Sequence, residues 1–183
     1  MRKVRFSINM SLDGYCDHTI FNPDETVLDY FTDQLDDVDL LFFGRLMYQL
    51  MFPYWRDFAR DLPGTVAENR FAKKFSAIDS VVVSRSLREV DGTIKIVRQD
   101  PAGALQRLKQ QSGKTILLDS ISLLPELVSA GLIDEFNVII HPIVVGTGRH
   151  LLSDGSLQEK LDMKLVNTIP FKSGSIALHY MKK

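Results

Sequence analysis

Arginines, serines and an aspartate stand where apolar runs of this chain end. Gly44-Arg45 follows Asp39–Phe43, Ser84-Arg85-Ser86 follows Ser80–Val83, and Asp119-Ser120 follows Thr115–Leu118. When a strand leads into a helix, the first helical N–H groups are free to meet an anion, and an arginine beside them adds a planar, two-pronged partner. The pattern therefore suits a phosphate-bearing ligand. Solvated loop arginines are the plainer reading of Arg45 and Arg85, and a helix N-cap is the plainer reading of Asp119.

A second group of residues lies further along. Gly131-Leu132-Ile133-Asp134-Glu135 reads as a helix stop, since Gly131 can take the positive φ that ends a helix. It is followed by the apolar strand Phe136–Ile140 and by Pro142-Ile143-Val144-Val145-Gly146-Thr147-Gly148. Gly146 and Gly148 allow backbone to approach another group closely, or form a strand-end bulge or turn. Near the N-terminus, Ser11-Leu12-Asp13-Gly14 places Asp13 just after the first strand, either to orient a ligand hydroxyl or water or to form an Asx-turn. Phe52, Tyr54, Trp55 and Phe58 form an aromatic cluster suited to walling a planar heterocycle or to core packing. His18, His141, His150 and His179 lack metal-ligand spacing, and no Ser-His-Asp set or Cys-His pair is present.

The elements that must position these residues follow from periodicity. Strands are expected at Val4–Met10, Asp39–Phe43, Ser80–Ser84, Thr93–Val97, Thr115–Leu118, Phe136–His141, Met163–Thr168 and Ser175–Met181. Helices are expected at Asp24–Leu35, from Gly44 to about Met51 with Pro53 ending it, and at Ala67–Ile78, Pro101–Gln111 and Ser120–Ala130, the last with Ser120 as N-cap. Alternation of strand and helix, then consecutive strands, predicts an α/β fold whose mixed central sheet is flanked by helices and ends in an antiparallel hairpin. Lys172-Ser173-Gly174 supplies the hairpin turn, and Ile176, Leu178 and Tyr180 alternate along the expected sheet edge.

Composition narrows the classes. A chain of 183 residues fits one domain, 1–183, and 45% hydrophobic residues allow a sizeable core. With 22 basic and 23 acidic residues the net charge is −1, which argues against a global nucleic-acid or membrane footprint. The single cysteine, Cys16, permits no internal disulfide and no cysteine-based zinc site, and no apolar run has the length of a membrane span. A reducing cytoplasm is the expected location.

Ser7-Ile8-Asn9-Met10-Ser11-Leu12-Asp13-Gly14-Tyr15, Asp39-Leu40-Leu41-Phe42-Phe43-Gly44-Arg45-Leu46-Met47-Tyr48, Gly131–Glu135 and Pro142–Gly148 occur in an order and spacing that resembles the dihydrofolate reductase-like superfamily. Within it, the chain is most similar to the reductase domain of bifunctional riboflavin-biosynthesis deaminase-reductases and their small stand-alone relatives. The resemblance implies a three-layer fold and NADPH as cofactor. It assigns Gly44, Arg45, Ser84, Arg85, Ser86, Asp119 and Ser120 to the phosphate and ribose side, Gly146, Thr147 and Gly148 to the nicotinamide side, and Asp13 to the catalytic region. It further implies reduction of a small heterocyclic or carbonyl-type substrate and a homodimer. The family's reference reaction is reduction of the ribosyl group of 5-amino-6-(5-phosphoribosylamino)uracil. Two positions depart from the pattern. Met47 stands where relatives carry a phosphate-binding Thr, and Asp119 where they carry Gly. These departures give weight to a second reading, a non-catalytic or ligand-sensing relative with weakened nucleotide binding. No carboxylate is placed on the Asp24–Leu35 helix as a pterin would require, since the inward positions are Val27, Leu28 and Phe31.

Overall fold

The computed structural model describes residues 1–92, 94–153, 155–157 and 159–183. Among these residues eight strands, numbered along the chain, form one sheet in the order β4-β3-β2-β5-β1-β6-β8-β7. They are β1 (Val4–Ser11), β2 (Val38–Gly44), β3 (Asp79–Val83), β4 (Lys95–Val97), β5 (Thr115–Asp119), β6 (Glu135–His141), β7 (Met163–Pro170) and β8 (Ile176–Lys182). The first six run parallel, whereas β8 pairs antiparallel with both β6 and β7. The expected strand at 93–97 is β4, with Thr93 outside the described residues. The sheet is therefore mixed and ends in the expected hairpin, closed by a turn in which Gly174 has φ 85°. One detail differs. Ile176, Leu178 and Tyr180 lie on β8, inside the sheet, and β7 is the exposed edge.

Parallel strands are covered on both faces, so their sequences are apolar throughout rather than alternating with polar residues. In β2, Leu40 and Phe42 point into one core with Phe6, Leu118, Leu105, Leu124 and Leu127. Leu41 and Phe43 point into the other, with Val82, Phe71 and Phe75. Both Phe42 and Phe43 are fully buried, and each such side chain contributes about 1.5–3 kcal/mol of apolar burial.

Among the described residues, five α-helices flank the sheet: α1 (Glu25–Gln34), α2 (Arg45–Asp61), α3 (Val66–Ser76), α4 (Pro101–Gln110) and α5 (Leu124–Ser129). Asp24 caps α1, its Oδ1 accepting from Val27 N at 2.9 Å. Thr65 and Glu68 form a reciprocal capping box on α3. Two helices differ from expectation. Helix α2 runs through Pro53 instead of stopping there. An interior proline costs about 3 kcal/mol in an isolated helix, but Tyr48, Phe52 and Trp55 recur along one face of α2. Tyr48 stacks on Phe52, and Trp55 meets Phe71 edge-on with centroids 4.7 Å apart. That packing holds the helix together across the break. Helix α5 starts later than expected, at Leu124, because Ser120 caps a preceding turn rather than the helix itself. Its end is as expected: Gly131, at φ 70°, makes a Schellman stop in which Leu132 N reaches Leu127 O and Gly131 N reaches Val128 O.

Helix α1 covers a sheet face of unusual polarity. Beneath it lie Arg5, Asn9, Glu135, Asn137 and His141, while the apolar cluster there contains only Val27, Ile139 and Ala177 as buried members. Arg5 bonds Asp37 Oδ2 at 2.8 Å and Glu135 Oε2 at 3.0 Å, and its Nη1 reaches Gln34 O at the end of α1. Burial acts to raise the Glu135 carboxyl, but hydrogen bonds from Lys3 and Arg5 outweigh it and hold the group below its ordinary value.

Candidate functional site

Because β3, β2, β5, β1 and β6 are parallel neighbours, their carboxyl ends lie side by side along one sheet edge. That edge carries, in spatial order, Ser84–Ser86, Gly44-Arg45, Asp119-Ser120, Ser11–Asp13 and Pro142–Gly148. Segments scattered over the sequence thus become one rim. The last paired residues of β1 and β5 are Phe6 and Leu118, yet β1 continues alongside β6 to Ser11. The two central strands part at this point, as strands do where open α/β sheets bind ligands.

On one side of the parting lies the start of α2. Its N-cap is Gly44, which offers no capping side chain, so the first-turn N–H groups have no side-chain partner there. Gly44 is needed for proximity rather than for backbone freedom: its φ is −79°, but a Cβ would stand 2.3 Å from Ser120 Oγ. Arg45 is exposed, with Nη1 on Gln49 Oε1 at 2.9 Å. Ser84 is buried and turned inward, its Oγ accepting from Leu87 N at 2.9 Å and from Ser86 N at 3.3 Å. The Arg85 and Ser86 side chains are exposed. Arg98, a residue sequence reasoning passed over, donates to Ser84 O at 3.2 Å and to Leu87 O, fixing the turn that presents Arg85. Only the pairing of β4 with β3 brings Arg98 here, so no local signal marks it.

Between α1 and α2, above β1 and β5, lies a slot of about 410 Å³. Its walls are mainly apolar and aromatic, among them Leu28, Phe31, Met47, Met51, Tyr54, Trp55 and Phe71. Tyr54 and Trp55 of the aromatic cluster line the slot, whereas Phe58 packs against both of them and Phe52 stacks on Tyr48. Met47 faces this slot. Asp119 also lines it, and its carboxyl has no hydrogen bond among the described residues; desolvation by burial pushes the group up to about 7. The cap reading of Asp119 is therefore replaced: Ser120 Oγ accepts from Leu123 N at 3.3 Å, and Asp119 turns into the slot. Ser7, Asn9, Phe21 and Gln34 also line it; β1 and α1 give Ser7, Asn9 and Gln34 an ordinary half-buried pattern, and Phe21 stands in the segment before α1, so no local signal marks their side chains for this role. A more open depression of about 390 Å³ lies at the opposite sheet edge, where charges are already paired: Arg2 bonds Asp39 and Lys114 O, and Lys114 Nζ bonds Asp36 O.

On the far side of the parting, Asp13 ties two loops together. Its carboxylate accepts from Ser11 Oγ at 2.7 Å, Gly146 N at 2.7 Å and Val145 N at 3.1 Å. The Ser11 hydroxyl and the two amides hold its carboxyl down to about 2. Asp13 is thus not closed on its own turn but clamps the loop that carries Gly146, Thr147 and Gly148, whose glycines have φ 75° and 126°. A Cβ at Gly146 would meet nothing, so its glycine serves the backbone conformation. His141 is held structurally: Nε2 meets Asn9 Oδ1 at 2.8 Å, Nδ1 meets Ser175 Oγ at 3.2 Å, and the ring lies tilted against Phe21 with centroids 4.7 Å apart. Burial lowers its basicity. No helix among the described residues is long and apolar enough to cross a membrane.

The uncharacterized protein YyaP of Bacillus subtilis (strain 168) is 28% identical, over 98% of this chain and 94% of its own. A protein of Shewanella sp. PV-4 assigned provisionally to riboflavin biosynthesis superposes with a TM-score of 0.74 at 20% identity, covering 100% of this chain and 99% of that one. Dihydrofolate reductase from Enterococcus faecalis, solved with NADP(H), superposes with a TM-score of 0.65 at 10% identity, covering 99% and 96%. The fold is thus dihydrofolate reductase-like. The family described as the RibD C-terminal domain matches residues 2–177, and the chain belongs to that family.

Proposed function

We infer that the protein is an NADPH-dependent reductase of a small heterocyclic or carbonyl-type substrate. The observation that carries this reading is the start of α2: first-turn N–H groups without a capping side chain, flanked by the exposed guanidinium groups of Arg45 and Arg85, beside an aromatic-walled slot. These groups fit a nucleotide carrying an extra phosphate, since the amides meet an anion head-on and each arginine can grip a phosphate two-pronged. Bound NADPH would supply a hydride. The chain's own part is to hold and orient. Arg45, Arg85 and Ser86 take the 2′-phosphate and ribose, and Ser84 and Ser120 shape the turns beneath them. Asp13 keeps the Gly146–Gly148 loop against the rim, and the slot excludes water from the reacting face. Positioning of this kind needs few reactive side chains.

The resemblance to riboflavin-pathway reductases makes reduction of a ribosylamino-uracil the reference reaction, in a cytoplasmic homodimer. A second reading, a ligand-sensing relative, is favoured by Met47 and Asp119, which put a thioether and a carboxyl where relatives have phosphate-binding or backbone groups. Calorimetric titration with NADPH and NADH separates the two. The reductase reading expects saturable NADPH binding, tighter than NADH; absence of NADPH binding rejects it.

A further inference from the structure

Asp119 and Ser7 occupy matching positions. Each follows the last position paired between β5 and β1, Leu118 on one and Phe6 on the other, where these two strands part, and both line the slot. Neither is used by the fold. Ser7 Oγ is buried with no hydrogen-bond partner among the described residues, and none is found for the Asp119 carboxyl. A buried hydroxyl left without a partner is uncommon in a folded protein. With the Asp119 carboxyl at the matching position on the floor of a mainly apolar and aromatic slot, the pair points toward a ligand that completes it.

We propose that Asp119 is the proton donor of the reduction, delivering its proton to the substrate heteroatom while Ser7 Oγ hydrogen-bonds the same edge. This rests on the reductase reading above. Reduction of a C=O or C=N group adds a hydride to carbon and a proton to oxygen or nitrogen. The hydride is the cofactor's contribution, and the proton needs a separate source. In the step proposed, the substrate's π electron pair moves onto its heteroatom. The O–H bond of the Asp119 carboxyl breaks as a new O–H or N–H bond forms. The Asp119 carboxylate that remains is reprotonated from solvent before the next turnover.

The surroundings favour a carboxyl that still holds its proton at neutral pH. The titratable groups lining the same slot are His18 after β1, Tyr54 on α2 and Glu68 on α3; β1, β2 and β5 contribute no other ionisable side chain to it. Glu68 is already engaged with Thr65 N at 2.8 Å, and among the described residues no cation is hydrogen-bonded to Asp119. With no positive partner, burial alone acts on it and favours the neutral acid.

The test uses the full-length protein and the variant Asp119→Asn, with isatin as a flat heterocyclic ketone probe. Carbon-13 NMR of aspartate-labelled protein should show one carboxyl titrating near pH 7 that is missing in Asp119→Asn. Isatin reduction by the unaltered protein should fall as pH rises through about 7, and the variant should be about 100-fold slower with no such dependence. Asp119→Glu should recover part of the rate and of the pH dependence. An Asp119 signal titrating near 4, or an Asp119→Asn variant with the original pH profile, overturns the proposal. Where isatin is not turned over, the NMR titration decides. Failure to bind NADPH rejects instead the reductase reading on which the proposal stands.

Discussion

The contact between Gly44 and Ser120 gives the sharpest prediction. Replacing Gly44 by alanine adds a single Cβ, and that atom would lie 2.3 Å from Ser120 Oγ and 2.9 Å from Ser120 Cβ. Backbone strain is not involved, because φ −79° and ψ 157° suit any residue. Nor can Ser120 swing aside freely. It is buried, and its Oγ meets Ser122 Oγ at 3.2 Å and Leu123 N at 3.3 Å. Either the serine leaves these partners or the ends of β2 and β5 separate. Overpacking of a tight site costs about 1–3 kcal/mol, and loss of a serine cap costs about 1 kcal/mol. A total near 2–3 kcal/mol is expected for Gly44→Ala, which lowers the melting temperature of a domain this size by about 5–10 °C. The assay is urea unfolding of Gly44→Ala, Ser120→Gly and the double variant. Since Ser120→Gly removes the atoms that collide, the pair should show a favourable coupling of about 1–2 kcal/mol. If Gly44→Ala unfolds within about 0.5 kcal/mol of the parent, or if the two effects simply add, the close approach does not govern this part of the rim.

Three further outcomes follow from the same geometry. Arg45→Ala should reduce the preference for NADPH over NADH by about 10-fold, the worth of one charge-assisted phosphate bond, as read by calorimetry; an unchanged ratio removes Arg45 from the phosphate site. Asp13→Ala should release the loop at Val145 and Gly146, seen as faster amide exchange there. In the unaltered protein the Asp13 carboxyl lies lower when folded than when unfolded, so its clamp is fully present above pH about 4 and is lost as pH falls toward 2; loop protection that declines already between pH 7 and 5 would contradict this. Light scattering at micromolar concentration should give about twice the 20.8 kDa chain mass, with the β7 edge or β6 near the interface, and a constant monomer mass would reject the dimer.

The sequence was most legible where one residue type has one physical use. Gly131 marked a helix stop and became a Schellman turn, and Asp24 stood at a helix start and caps it. The run Val81-Val82-Val83 read as a buried strand and is one. It was least legible where tertiary packing decides. Pro53 is a helix breaker locally, yet aromatic contacts with α3 carry α2 past it. Asp119 and Ser120 look interchangeable as caps, and only the pairing of β5 with β2 and β1 decides which one turns into the slot. The rim itself could be anticipated as a set of strand ends, but not its spatial order, because that order depends on β5 inserting between β2 and β1. Ser7 and Asn9 head the first family-like segment, but nothing there marks their side chains for a slot: an alternating strand presents polar residues on one face whether that face meets water or a ligand.

The polar face beneath α1 bears on how the slot behaves over time. Helix α3 is anchored by Ala67, Phe71, Ala72 and Phe75, all buried, whereas the buried residues of α1 are Val27 and Thr32. Much of what holds α1 down is directional: Arg5 to Gln34 O, and Asn137 Nδ2 to Gln34 Oε1 at 2.8 Å. Water can replace such bonds in a way it cannot replace apolar contact, and Leu28, Tyr30 and Phe31 of α1 are only partly buried, so lifting α1 costs less apolar burial than lifting α3. Hydrogen exchange should accordingly divide the molecule into units that open at different free energies, with the amides of α1 exchanging well before those of α3 and without unfolding of the sheet. One wall of the slot then breathes on a timescale separate from that of the rim, and the range of ligands the protein admits is set by the work of raising this helix as much as by the resting shape of the cavity.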